Sequence, residues 1–502
     1  MRIAVIDDGI EPSLCPSLQL EYDLCVTEDG RVVEREGQIR TDHGTTSARI
    51  ILKYAPTASL CSIQVFCTDE LKTSIGQLLA ALEWCRREKI PLIHLSLGST
   101  LWTDYEPLRR ATAKLLRNGQ IVVAAHSNSS AYTVPACLMG VLGVMTDSCL
   151  KGDSCYTRKA GWEQIQIYAS SRHMLEAGRG SVTETQISNS YAAPLITARV
   201  HEILCERAEE GWTVAKIYRR LAGQGSMMFC MRPDFIEDAV LFQAGEYGPY
   251  QELFFFSVKE RVSSLDALRE AVRHDPYAPV VLIPSGSQKV DREACRYCQE
   301  ACRLGFLYAG VSPTGAADEC GLFWNERQYR EFLIDAKPEA EERFAEDTAR
   351  LLVEGEGPFA LSAAVKLQQR FQKEDYPCMI VSDEPFAYLY GMEYLPDGAD
   401  AEEFAKNTAA LRQAFVVIYC LGNRDGMEGP AYDFKISVGE SVDMEIEENR
   451  IRLPESFGDR EWENLYQYIL AYEPDVPHHG GYEERILEGG NTGRKIPQTA
   501  QK

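Results

Sequence analysis

Near the start of the chain, short runs rich in Ile and Val alternate with longer segments of helical period, and few folds accommodate that order. The runs are RIAVID (2–7), SLCSIQVF (59–66), IPLIHLSL (90–97) and GQIVVAA (119–125). Each is largely apolar at both alternate sets of positions, which marks a strand covered on both faces, and such strands belong to parallel sheets flanked by helices. Between them lie TSIGQLLAALEWCRREK (73–89) and DYEPLRRATAKLLRNG (104–119). In the first, Ile75, Leu78, Leu79, Leu82 and Trp84 recur near helical spacing, and the segment ends on basic residues that suit a helix C-terminus. The alternation predicts an α/β domain with helices on both faces of a parallel sheet, and in such sheets ligands sit beyond the carboxyl ends of the strands.

At 502 residues the chain exceeds one ordinary core, so further units are expected. We read 1–204 as the first domain and 205–250 as a helical connector and linker. A second α/β pattern at 251–335 begins with LFFFSV and continues through APVVLIP and LGFLYAGV. A third spans 336–485, and 486–502 reads as a polar disordered tail. The net charge of −23 is unevenly placed, about −2 before residue 205 and −21 after it. No basic stripe is available to replace phosphate counterions, so nucleic acid is not an expected partner. No apolar run reaches the length of a membrane span. The MRIAVIDDGI start reads as a strand and not a signal peptide, so the sixteen cysteines are expected as reduced thiols in a cytoplasmic protein.

Four residues in the first domain carry complementary chemistry. In QISNSYAAPLITARV (186–200), Ser190 opens an apolar helical run, where it is either an N-cap or a nucleophile beside free helix amides. Asp7 ends the first strand, His43 opens a helix in DHGTTSARII, and Asn128 follows a strand in IVVAAHSNSS. A serine hydroxyl attacks a carbonyl only when an imidazole takes its proton, and the imidazole needs a carboxylate to hold its tautomer. The resulting oxyanion needs donors, which the Asn128 amide and the Ser190 backbone N–H supply.

These segments resemble the subtilisin-like serine peptidases over residues 1–204. IAVIDDGI is similar to the family's aspartate motif, DHGTTSARII to its His-Gly-Thr helix, and YAPTASLCSIQVF to the Ala-Pro segment and strand that follow. HLSLGS resembles the strand that pairs with substrate, VVAAHSNSSAYTVPA the segment bearing the oxyanion Asn, and NSYAAPLITA the Ser-x-Ala-x-Pro nucleophile helix. The resemblance implies catalytic Asp7, His43 and Ser190. It also implies an oxyanion hole from Asn128 and Ser190, and a substrate wall along Ser96, Leu97 and Gly98. Asp8, Ser127, Ser188 and Asn189 depart from the family pattern, Ser127 and Ser188 where glycines are usual. The resemblance further implies a compact intracellular enzyme without a propeptide, needing no cofactor or metal. Compact bacterial relatives accompany peptide-modifying enzymes and remove leaders from ribosomally made peptides. A peptide substrate and a peptide-modifying enzyme are therefore the expected partners.

The second half speaks less clearly. The strand–loop–helix ARLLVEGEGPFALSAAVKLQQRF resembles a phosphate-binding loop, with Gly355 and Gly357 in the turn and Ser362 opening the helix, but it has no Gly-Lys-Ser/Thr. The segment 339–396 resembles a protein of bacterial peptide-maturation clusters. Cys295, Cys298 and Cys302 share a helix face that reads as core, Cys320 being the nearby candidate for a fourth metal ligand, and His478-His479 read as a loop. The expected function is an intracellular serine endopeptidase whose C-terminal region recruits substrate or partner. The alternatives are a catalytically silent peptide-binding scaffold and a nucleotide-dependent C-terminal enzyme.

Overall fold

A computed structural model describes residues 1–471, apart from 16–17, 37–38, 40, 67–72, 130–131, 159–166, 177–180, 207–211, 223–231, 246–247, 311–321, 325–347, 356, 375, 413, 423–428, 440–443, 448 and 455–457. Cys320, His478-His479 and the 486–502 tail lie outside the described residues. In chain order the first part forms strands β1 (Arg2–Asp7), β2 (Gln19–Val26) and β3 (Val32–Glu34), then helix α1 (His43–Tyr54) and β4 (Ser59–Gln64). There follow α2 (Ile75–Arg87), β5 (Leu92–Leu95), α3 (Tyr105–Arg117), β6 (Ile121–Ala125), β7 (Leu142–Thr146), β8 (Cys155–Thr157) and β9 (Ile167–Ala169). The hairpin β10 (Met174–Glu176) and β11 (Val182–Glu184) precedes α4 (Asn189–Glu206). The nine strands order β3-β2-β4-β1-β5-β6-β7-β9-β8, parallel except at the two edges.

The central strands are covered on both faces, as their composition requires. Ile3 and Val5 of β1 pack in one cluster with Ala48 and Ile51 of α1 and Ala192 and Ile196 of α4. Their neighbours Ala4 and Ile6 pack in another with Leu78 and Leu82 of α2 and Leu108 and Leu115 of α3. Successive residues of a strand point to opposite faces, so alternate residues of one apolar run feed two cores. Helix α2 starts where Ser74 and Gln77 close a reciprocal capping box, and Arg86 and Arg87 sit in its last turn.

After α5 (Val214–Ala222), a second sheet begins with β12 (Asp238–Gln243), inside the stretch read from sequence as connector and linker. It continues with β13 (Ser257–Val262), α6 (Leu265–His274), β14 (Val280–Ile283), α7 (Gln288–Ala301), β15 (Gly305–Tyr308) and β16 (Leu322–Trp324), all pairings parallel. Of LFFFSV only the end enters β13; Phe256 instead stacks on Phe254 and meets Phe255 edge-on.

The third sheet holds β17 (Ala349–Gly355), β18 (Cys378–Ser382), β19 (Glu393–Tyr394), β20 (Val416–Cys420), β21 (Phe434–Gly439), β22 (Glu445–Glu447) and β23 (Arg450–Pro454). Their spatial order is β19-β18-β20-β17-β21-β23-β22, with α8 (Pro358–Lys373), α9 (Ala401–Arg412) and α10 (Asp459–Ala471) as helices. Helix α8 starts at Pro358, whose fixed φ suits a first helical position, so Ser362 lies a turn inside it and does not open it. One buried cluster runs from α1 and α4 through Phe235, Ile236 and Leu241 into Val353, Leu361 and Ile418, so the three sheets share a core. Among the described residues no helix is long and apolar enough to cross a membrane.

Candidate active site

Asp7 ends β1 and His43 begins α1. The imidazole Nδ1 lies 2.8 Å from Asp7 Oδ1 and 3.0 Å from Oδ2. A buried carboxylate opposite Nδ1 keeps a proton there, so that in the neutral ring it is Nε2 that carries the free lone pair. This approach depends on Gly44, since a Cβ there would lie 2.5 Å from Gly9 O and 2.9 Å from Asp7 Cβ. Asp8, buried beside it, accepts from Gly44 N at 2.6 Å, from His43 N at 3.3 Å and from the Thr41 hydroxyl. It thereby satisfies the first amides of α1, which gives this second carboxylate a structural role. Burial and the adjacent Asp7 charge push the Asp8 carboxyl up to about 7, against the pull of the Gly44 N–H. Burial alone would lower the His43 pKa, but the charge and hydrogen bond of Asp7, with the charges of Asp8 and Asp42, hold it up at about 9.

Ser190 is the second residue of α4, and the next residue, Tyr191, has its ring 5.3 Å from the His43 ring. The helix cap is Ser188, whose carbonyl takes the Tyr191 N–H at 3.1 Å and whose Oγ takes the Ser190 N–H at 3.3 Å. Pro194 stands four residues after Ser190 and has no N–H, so the Ser190 carbonyl lacks its helical partner; Ser96 Oγ donates to it at 3.4 Å instead. Ser96 is in turn tied to His94, an ionisable residue in a buried strand that the sequence reading passed over. His94 bridges Ser96 Oγ (Nε2, 2.7 Å) and Thr197 Oγ1 of α4 (Nδ1, 2.8 Å). Burial lowers its pKa to about 4, so it is neutral and offers one donor and one acceptor. Its signal was an isolated polar side chain in IPLIHLSL. The Ser190 hydroxyl donates to Ser96 O at 3.3 Å, and among the described residues it makes no hydrogen bond to His43.

Asn128 has its side-chain oxygen on Asn189 N at 3.0 Å, which turns its Nδ2 toward Ser188 Oγ at 3.4 Å. The Asn128 amide and the Ser190 N–H therefore converge on one oxygen, the Ser188 hydroxyl. Asn189, buried, holds this arrangement: its Nδ2 donates to Ser127 O and its Oδ1 accepts from Thr146 N, both at 2.7 Å. In the segment that follows β5, Gly98 is packed so closely that a Cβ would lie 2.7 Å from Val134 O. Ser99 and Val134 exchange two backbone hydrogen bonds of 2.8 and 2.9 Å, and Leu97 is buried with Trp102, Tyr132 and Val134.

In the second sheet, Cys295 and Cys298 are buried among Leu268, Val272 and Phe306, so this stripe faces the core. Among the described residues no group of three or more His, Cys, Asp or Glu side chains is placed to hold a metal. Gly355 ends β17, and Gly357, with φ of 60°, makes the turn into α8.

The first sheet thus defines an α/β unit with an Asp–His pair, a helix-borne serine and two converging N–H donors beyond the carboxyl ends of its central strands. Solved structures similar to part of the chain are proteases. One is a lanthipeptide protease, 14% identical, covering 46% of this chain and 84% of its own, with a TM-score of 0.35. The self-cleaved protease domain of PatA is 21% identical over 44% of this chain and 85% of its own, with a TM-score of 0.34. The prenylagaramide maturation protease PagA is 18% identical over 42% and 78%, with a TM-score of 0.32. No protein-family profile matches the chain, and no curated protein does. At these TM-scores the likeness is weak, and the chemistry is read from the geometry alone.

Proposed function

We propose that the chain is a subtilisin-like serine endopeptidase that cleaves a peptide precursor, removing a leader through an acyl-enzyme on Ser190. What carries this reading is the meeting of two arrangements at the carboxyl ends of the central strands. Asp7 orients His43, and beside them two N–H groups aim at a single oxygen next to Ser190.

In the resting state the Ser190 hydroxyl points to Ser96 O and the Ser188 hydroxyl occupies the donor pair. Catalytic hydrogen bonds commonly tighten only with substrate bound. A substrate carbonyl entering the donor pair displaces Ser188 Oγ, and rotation about χ1 turns the Ser190 hydroxyl to His43 Nε2. His43 takes the proton as Ser190 Oγ bonds to the carbonyl carbon, and Asp7 stabilises the imidazolium. The oxyanion accepts from Asn128 Nδ2 and Ser190 N. His43 then gives its proton to the leaving amine, and water releases the acyl group by the reverse path. Substrate lies extended beside Ser96–Gly98, paired through its backbone.

We place the enzyme in the bacterial cytoplasm beside a peptide-modifying enzyme, with residues beyond 250 as an acidic surface that recruits a basic part of the precursor or the partner. The charge of −21 after residue 204 supports this. The bond from Ser190 to Ser96 favours one other reading, a peptide-binding scaffold that performs no chemistry. A fluorophosphonate separates the two. Wild type should become labelled and Ser190→Ala should not, and mass spectrometry should show precursor cleavage by wild type alone, slowing as salt screens the acidic surface. Equal labelling of both proteins would assign the nucleophile elsewhere, and labelling of neither would leave the scaffold.

A further inference from the structure

Beside the shared core, a buried arginine brings the third sheet to the candidate site. Arg412, the last residue of α9, is 1% exposed, and its guanidinium lies 4.4 Å from the Trp102 ring and 4.2 Å from the Tyr132 ring. Among the described residues its Nε and Nη1 have no hydrogen-bond partner. Its charge is met by Glu393, 2% exposed, whose Oε1 is 3.5 Å from Nε. Glu393 also accepts from Arg232 Nη1 at 2.9 Å, and Arg232 lies 4.9 Å from the Tyr105 ring. An arginine withdrawn from water with so few hydrogen bonds is unfavourable unless something replaces the solvent. Here one carboxylate and two aromatic faces do so, and both faces belong to the first unit.

Tyr132 leads into the segment that joins the two sides of the site. Thr133 Oγ1 accepts the Ser127 N–H at 3.2 Å, next to Asn128. Val134 is bonded twice to Ser99, next to Gly98. Segment 132–134 thus links the loop that carries the oxyanion donor to the segment after β5 proposed to bind substrate.

We propose that Arg412 is a positioning residue of the peptidase site. Stacked on Trp102 and Tyr132, it holds segment 132–134 and, through it, Asn128 and the Ser96–Gly98 segment in place. The catalytic unit is then incomplete without the third sheet. This rests on the peptidase reading above and deepens it by naming a determinant that lies more than two hundred residues away in sequence.

The test uses the full chain with Arg412→Met, Arg412→Lys and Leu367→Ala, the last a cavity in the buried core beneath α8. Hydrogen exchange is followed at the Ser127, Ser99 and Val134 amides, and kcat, KM and the preference for the residue before the cut are measured on short peptides. In Arg412→Met, exchange at these amides should rise at least tenfold. Its kcat/KM should fall at least tenfold, mainly in kcat, with an altered residue preference. Arg412→Lys should restore part of each. Leu367→Ala should lower the melting temperature yet leave these amides and constants within about twofold. Unchanged amides in Arg412→Met, or equal losses in Leu367→Ala, would overturn the proposal. Exchange is read whether or not the protein hydrolyses anything. A wild type that takes no phosphonate label therefore removes the peptidase reading, while the amides still decide what Arg412 holds.

Discussion

His43 faces two adjacent carboxylates, and their division of labour sets how the site responds to pH. Asp7 holds the ring, whereas Asp8 caps the helix that carries it and adds negative charge nearby. The base must be neutral to accept a proton, so with its pKa held up near 9 the rate should climb on the alkaline side of neutrality. Asp8→Asn removes one source of that elevation, and the rising limb of kcat/KM against pH should move to lower pH. The same substitution has a stability signature. The folded pKa of Asp8 is raised, from 3.8 to about 7, so its contribution is full below 3.8 and lost as pH rises through 7. The wild type should therefore lose more thermal stability than Asp8→Asn between pH 4 and 7. A limb that stays in place in Asp8→Asn would show that Asp8 does not act on the imidazole.

Helix α4 illustrates a conflict between an element's own stability and the role proposed for its first turn. A capping hydroxyl belongs on the N–H of the second helical residue, and in this chain that N–H is also one of the two proposed oxyanion donors. Ser188→Gly should therefore lower stability by only a few tenths of a kcal/mol, the usual difference between serine and glycine caps. It should raise kcat, because the donors no longer need to be cleared. Paired melting curves and turnover numbers check this, and a lower kcat would mean that the Ser188 hydroxyl assists the reaction. Of the two roles the sequence offers Ser190, the cap belongs to Ser188, and Ser190 lies two residues into the turn. Motif spacing alone does not distinguish these, because the position of the first helical bond depends on where Asn189 anchors against Ser127 and Thr146.

For the molecule as a whole, the three sheets are joined by more than one continuous cluster. Arg109 of α3, 1% exposed, donates to Ile236 O at 2.6 Å and to Glu237 at 3.0 Å, and Arg117 reaches Asp238 at 3.1 Å and Asp275 at 2.9 Å. With so much buried between units, the full chain should unfold in a single calorimetric transition. Two resolved transitions would show that the first sheet is stable alone. The sequence by itself determined the class of fold, since apolar runs and helical periods are local patterns that leave few other architectures. It also singled out Asp7, His43, Asn128 and Ser190, whose residue types and positions at strand ends and helix starts are readable one segment at a time. Only the tertiary structure decided that Ser188 sits on the donor pair, that neutral His94 braces helix α4, and that Arg412 closes over Trp102 and Tyr132. Each of these is a contact between segments distant in the chain. Such contacts depend on which faces meet once the core is packed, and no local pattern records that.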